Sequence, residues 1–274
     1  MNQVSDFYDS AQRPSRMLEE LRAVWRYRDL LAQLIARNLT VRYKRSILGF
    51  AWTMLNPLLM MTILTLVFSN VFRITLEHYP VYVLSALVLW NFFAQATSAA
   101  MSELAWGSGL FQKIYMPRAI FVLAAIGTNL VNLLLALIPL AVIMLATGVP
   151  FRPALLFLPV PIVLTALFAL GIGLVLAVLA VAFADIIDIY QVALTAWLYL
   201  TPIIYPPDII PAQWRGLFAL NPLYGLLELF RQPIYAGALP AFDLIVAVSA
   251  LALGAGAFGW WFFARNVDGL AYRI

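Results

Sequence analysis

Residues 119–147 read AIFVLAAIGTNLVNLLLALIPLAVIMLAT, an apolar run without a single Asp, Glu, Lys, Arg or His. A helix needs about 20 such residues to cross about 30 Å of hydrocarbon, so this stretch predicts a spanning helix with length to spare for tilt. Working outward, the same lack of charge recurs at 154–183, 189–205 and 244–264, and on the N-terminal side at 81–101 and 47–72. The fifth of these is short and runs into Pro202, Pro206 and Pro207. None shows the alternation of an outer-membrane strand, and only helices and closed barrels satisfy their backbone in lipid. The expected fold is therefore an all-α integral membrane protein with six transmembrane helices. The expected division is a cytoplasmic amphipathic segment 1–46, a spanning domain 47–264 and a cytoplasmic tail 265–274.

Composition agrees. Of 274 residues, 64% are hydrophobic and 11% charged, with a mean hydropathy of +0.91. Soluble domains are about half apolar and about a quarter charged, so a disordered chain, a fibre and a cytosolic globule are excluded. There is no Cys, which removes disulfides, thiolate metal sites and a Cys nucleophile. The net charge of +4 reads as topology rather than as nucleic-acid binding. Nine of the 17 basic residues precede the first span; Lys113, Arg118, Arg265 and Arg273 fall on the same face, against Arg73, Arg152, Arg215 and Arg231 on the other. The positive-inside rule puts both termini in the cytoplasm. The first apolar run begins after about 46 polar residues, too late for a cleavable signal peptide.

Before the first span, Met17, Leu18, Leu21, Val24 and Trp25 share one helical face, opposite Glu19, Glu20, Arg22 and Arg26. That pattern suits an interfacial helix with Trp25 among headgroups. A second amphipathic piece, 29–45, carries Leu30, Leu31, Leu34, Ile35 and Val41. It serves equally as a basic anchor that sets topology. Between the fifth and sixth spans, 206–240 holds six prolines yet stays apolar. Two short helices are expected, at 211–219 and 222–231, the second with Asn221 as N-cap and Pro222 at its first position. Glu228 and Arg231 then share a face. The expectation is a re-entrant segment at the outer mouth, with Asn221, Glu228 and Arg231 forming its wet side. The alternative is an outer loop lying on headgroups.

Catalytic chemistry is sparse. His78 is the only His, and neither Lys44 nor Lys113 follows a Gly, so no P-loop exists. Gly171-Ile-Gly173 and Gly254-Ala-Gly256 lie inside spans, where small residues permit close helix contact. Asp185 and Asp188 flank the turn before the fifth span, as a carboxylate pair or as helix-start charge. The spans carry amides and hydroxyls but no ionisable acid, Lys, Arg or His, against the usual habit of ion-coupled transporters. Any energy for transport therefore enters from outside the chain.

The order of motifs resembles the permease subunit of a type-2 ABC exporter. Arg42-Tyr43-Lys44-Arg45-Ser46-Ile47-Leu48-Gly49-Phe50-Ala51-Trp52, then Asn56-Pro57, is similar to the segment entering the first span of polysaccharide exporters. Phe183-Ala184-Asp185-Ile186 resembles the turn before the fifth span; Ala184 departs from the basic residue often found there. Thr201-Pro202-Ile203-Ile204-Tyr205-Pro206, Trp214, Asn221-Pro222-Leu223 and Phe230-Arg231-Gln232 resemble the end of that span and the re-entrant helices. The nearest likeness is to O-antigen and teichoic-acid exporters, which move lipid-linked glycans across the bacterial inner membrane. The resemblance implies a channel between two copies of the chain, driven by two ATP-binding subunits that hold ATP and Mg; no cofactor is expected on this chain.

The amphipathic connection 102–118 would couple to those ATPases, through Glu103, Phe111, Lys113 and Tyr115. Aromatic rings pack on sugar faces, and Phe, Trp and Tyr make up 14% of the chain. Channel candidates are Phe50, Trp52, Phe68 and Phe72 in the first span, Tyr190, Trp197, Tyr199 and Tyr205 in the fifth, and Asn221. Tyr190 and Trp197 share a helical face that Tyr199 does not, so not all of them line one path. The rival readings are a drug or small-lipid exporter of the same architecture and a membrane-embedded transferase acting on lipid-linked sugars.

Overall fold

A computed structural model describes residues 16–44, 49, 51–70, 76–106 and 117–266, and among these every regular element is helical. The expected residues Phe50, Phe72, Phe111, Lys113 and Tyr115, most of 102–118 and most of the C-terminal tail lie outside the described residues. The helices are α1 (Arg16–Arg26), α2 (Arg28–Tyr43), α3 (Ala51–Asn70), α4 (Tyr79–Trp106) and α5 (Ala119–Thr147). A 3-10 turn at Pro153–Phe157 leads to α6 (Pro159–Ala182) and α7 (Ile186–Tyr199). The chain then breaks into a 3-10 turn (Pro207–Ile209), α8 (Ala212–Ala219), α9 (Pro222–Arg231) and a π-helical turn (Gln232–Ala236) before α10 (Phe242–Asn266). Tyr79–Leu104, Ala119–Thr147, Pro153–Ala182 and Phe242–Asn266 are long and apolar enough to cross a membrane; Met54–Phe68 and Ile186–Tyr199 are shorter apolar helices.

The centre of the bundle is α4. Residues 81–90 are all buried, including Ser85, because α3, α5, α6, α7 and α9 pack around them. A helix that is apolar on every side belongs in such a position. Phe93 fills the middle, with the rings of Phe168 (α6) and Trp197 (α7) at 5.6 and 5.4 Å. The crossing of α6 and α10 is a backbone contact: a Cβ at Gly171 would strike the Ala255 carbonyl, and one at Gly259 would strike the Gly171 backbone. Gly256 meets Leu167, whereas Gly254 borders open space, so the second small-residue pair packs through one glycine only.

The N-terminal helices are docked on the bundle. On α2, Leu34 and Ile35 lie over Ile120, Phe121 and Ala124 of α5, and Gly127 makes room for Ile35. On α1, the Met17 carbonyl accepts a hydrogen bond from Trp260 Nε1 of α10 at 3.3 Å. Trp25 stays largely exposed, with the Arg28 guanidinium 5.6 Å from its ring centre, as an interfacial anchor requires.

Candidate functional site

Two polar constructions interrupt the apolar bundle, one at each end. The first forms where α7 stops. Pro202 cannot donate a backbone bond, and the chain that follows cannot continue the helix. In lipid or in a protein core the freed carbonyls must find other donors, and each of them from Tyr199 to Tyr205 does. Tyr199 O accepts from Tyr205 Oη (2.7 Å), Leu200 O from Asn221 Nδ2 (3.1 Å) and Thr201 O from the Ile203 amide (2.7 Å). The Pro202 and Ile203 carbonyls both accept from Arg231 Nη2 (3.0 and 3.3 Å). Ile204 O accepts from Tyr79 Oη (2.7 Å) and Tyr205 O from Tyr82 Oη (3.0 Å).

Arg231 is the hub of this end. It is 3% exposed, donates through Nη1 to Tyr82 Oη at 2.9 Å, and pairs with Glu228 at 3.4 Å. Its guanidinium carbon stands 3.8 Å from the Tyr82 ring centre. Burial lowers its pKa from the ordinary arginine value, and charge interactions with Tyr82 and Glu228 oppose that shift. The expected pairing of Glu228 and Arg231 is present, but Arg231 is not on a wet face. It turns inward because the broken strand of chain after α7 offers it carbonyls.

Asn221 caps α9 as its position predicts, its Oδ1 accepting from the Leu223 amide at 3.1 Å. The same oxygen accepts from Trp197 Nε1 at 2.8 Å, and Nδ2 donates to Thr201 Oγ1 at 2.9 Å. The side chain thus fastens α9 to the end of α7. Trp197, Leu200, Leu217, Phe218, Leu220 and Pro222 surround an apolar cleft of about 360 Å³ beside it.

The second construction joins α2, α4, α5 and α7 at the opposite end. Arg42 Nη2 donates to Gln95 Oε1 at 2.9 Å, and Asn38 Nδ2 donates to Glu103 Oε1 at 3.2 Å. From α7, Tyr190 Oη donates to Thr97 Oγ1 at 2.7 Å and Gln191 Nε2 to Ser98 Oγ at 3.1 Å. A small pocket of about 40 Å³ lies among Pro57, Asn91, Gln95, Asn129 and Asn132. A wider cavity of about 390 Å³ adjoins it at Asn129, bordered by Arg37, Asn38, Arg42, Glu103 and Thr128.

The sequence-derived site residues therefore divide. Trp197, Tyr199, Tyr205 and Asn221 gather at the Pro-rich end, with Tyr199 exposed and Trp197 turned inward, as their spacing requires. Tyr190 of α7 is buried at the other end, against Thr97 of α4. Trp52 is nearly half exposed at the start of α3, and Phe68 packs partly against the core. Glu103 sits beside α2. Tyr79 and Tyr82 were not singled out by the sequence reading, although their spacing of three puts both hydroxyls on one face at the head of α4. Among the described residues no three His, Asp or Glu side chains converge as metal ligands. What the geometry supplies is two helices, α3 and α7, with exposed apolar faces: Leu59, Ile63 and Leu66 on one, Ile189, Val192 and Tyr199 on the other.

These features define a helical membrane protein, and comparison with known proteins places it among transport components. The family model described as ABC-2 type transporter matches residues 29–235, and the chain belongs to that family. It is 31% identical to the O-antigen export system permease protein RfbA of Myxococcus xanthus over 240 residues, covering 86% of this chain and 92% of that one. It is 26% identical to the protein of the same name from Klebsiella pneumoniae, covering 77% and 82%. To the polysialic acid transport protein KpsM of Escherichia coli it is 22% identical, covering 74% and 80%.

Proposed function

We propose that this chain is the membrane subunit of an ATP-driven exporter that moves a lipid-linked polysaccharide from the cytoplasmic to the outer face of a bacterial inner membrane. The observation that carries the reading is the match, along most of their length, to permeases named for O-antigen export and a protein named for polysialic acid transport. In this reading α3 and α7 complete a set of six spans, the segment from Pro206 to α10 is re-entrant on the outer side, and both termini are cytoplasmic. Two copies enclose the path, and two separate ATP-binding subunits drive it through the connection 102–118. The exposed aliphatic and aromatic faces of α3 and α7 support this arrangement, since such faces suit a partner copy, lipid or a sugar chain better than water.

The test is reconstitution with the ATP-binding subunit in proteoliposomes loaded with lipid-linked glycan. Glycan should cross only with both subunits and ATP present, and the chain alone should hydrolyse none. Because the chain has no Cys, Tyr199→Cys can be introduced singly, and an impermeant thiol reagent should label it faster during export. Export without the ATPase, or ATP hydrolysis by the isolated chain, overturns the reading. Transport of small lipids or drugs in place of glycan would move it to the rival exporter class.

A further inference from the structure

The cavity between α2, α4 and α5 has a composition that the helical packing does not require. Two arginines, Arg37 and Arg42, stand on its α2 wall. Among the described residues neither makes an ion pair within 4.0 Å, and Arg42, itself exposed, donates across the gap to Gln95. Glu103 is the one acid on the walls; it accepts from Asn38 and is attracted to Arg37 beyond ion-pair distance, which leaves the walls a net charge of about +1. The other polar groups are turned to their own helix: Thr128 Oγ1 donates to Ala124 O (2.7 Å) and Asn129 Nδ2 to Ala125 O (2.9 Å). The floor is cut back to Ala99 and Ala125, which leaves the room of about 390 Å³.

We propose that this cavity holds a phosphoryl group carried on a lipid, the phosphate or diphosphate ester through which a lipid carrier bears its sugar. The inference rests on the export reading for the identity of that lipid. Guanidinium groups present planar forks of N–H donors that match phosphate oxygens in pairs, and they are the main free donors on these walls. A cation is disfavoured by the net charge, and a neutral sugar does not call for two guanidiniums. The lipid source is favoured over a free anion by the surroundings. Val41, 64% exposed, borders the cavity with apolar surface, and the amphipathic α1 with its exposed Trp25 lies at the same end, where headgroups sit.

The experiment uses the full chain with its ATP-binding subunit in phosphatidylcholine nanodiscs, with radiolabelled polyprenyl diphosphate as probe and inorganic diphosphate as competitor. Saturable binding is expected, weakened about tenfold or more by Arg37→Gln or Arg42→Gln, each removing charge-assisted bonds. Arg22→Gln, on the exposed side of α1, should leave binding unchanged. Glu103→Gln keeps an acceptor for Asn38 but removes the opposing charge, and should tighten binding; this keeps the proposal testable if an Arg variant fails to assemble. Unchanged binding in an assembled Arg37→Gln, Arg42→Gln double variant overturns the site, as does weaker binding in Glu103→Gln. Competition by inorganic diphosphate at equal concentration overturns the lipid source. Glycan export at the wild-type rate by a double variant that binds normally refutes the site and leaves the export reading standing. Arginine-dependent binding in a complex that moves no glycan refutes the export reading and supports the site.

Discussion

The two ends of the bundle use arginine in opposite ways. At the Pro-rich end Arg231 is buried and held through both terminal nitrogens by its own chain: two carbonyls, a tyrosine hydroxyl and a carboxylate accept from them, a ring lies under the guanidinium, and only Nε is left without an acceptor. At the end bearing α2, Arg37 and Arg42 are exposed around an open cavity, with an amide as the sole acceptor of Arg42 among the hydrogen bonds described. The difference separates two roles of charge in a membrane protein. A charge enclosed by its own chain repairs broken backbone, because removing any partner leaves a buried group unsatisfied. A charge beside empty space leaves donors for something that arrives later.

The comparison breaks most decisively at Arg231. Arg231→Ala strips donors from Pro202 and Ile203 and leaves Glu228 with the Gln232 amide but without its counter-charge, with an expected cost of about 3–5 kcal/mol. Little folded protein should survive detergent extraction, as read by size-exclusion chromatography; a normal yield and melting temperature would place Arg231 with the arginines of the other end. Gly171→Leu tests whether the middle of the bundle is as intolerant. Its side chain would meet the α10 backbone, and overpacking costs about 1–3 kcal/mol, more where backbone must shift. Gly254→Leu, facing open space, should melt like the wild type, and equal loss in both would refute the backbone contact.

Asn221→Ala sharpens the picture of the Pro-rich end. It removes the cap of α9 and the bonds to Trp197 and Thr201, for about 1–2 kcal/mol, and should also blue-shift or broaden Trp197 emission. Wild-type stability would mean that α9 is held by its apolar face alone. The smallest effect is expected at Arg42→Ala, within about 0.5 kcal/mol of wild type on thermal unfolding, as for exposed positions without a buried partner. A loss as large as that of Arg231→Ala would make Arg42 a structural residue and erase the contrast between the ends.

Parts of this arrangement were legible in the chain itself. Asn221-Pro222 announces a helix start because an N-cap side chain and a missing amide are local properties, and α9 begins there. The three-residue spacing of Glu228 and Arg231 likewise gives their pairing. The direction of Arg231 was not legible: it depends on Tyr79 and Tyr82, about 150 residues earlier, arriving beside the broken end of α7. Nor does the sequence tell Gly171 from Gly254, since both sit in apolar helices and only one faces another backbone.

By itself the sequence determined that the protein is helical and membrane-embedded, that it brings no nucleotide-binding loop, and where its chain must break. Those conclusions follow from hydropathy, charge and proline, which act within a few residues of where they stand. Only the tertiary structure decided that the carbonyls from 202 to 205 are closed off by side chains of α4 and α9, and that Arg37 and Arg42 border a cavity. Satisfying a freed carbonyl or enclosing a space takes groups distant in sequence, and their meeting is fixed by the packing of α4 among its neighbours.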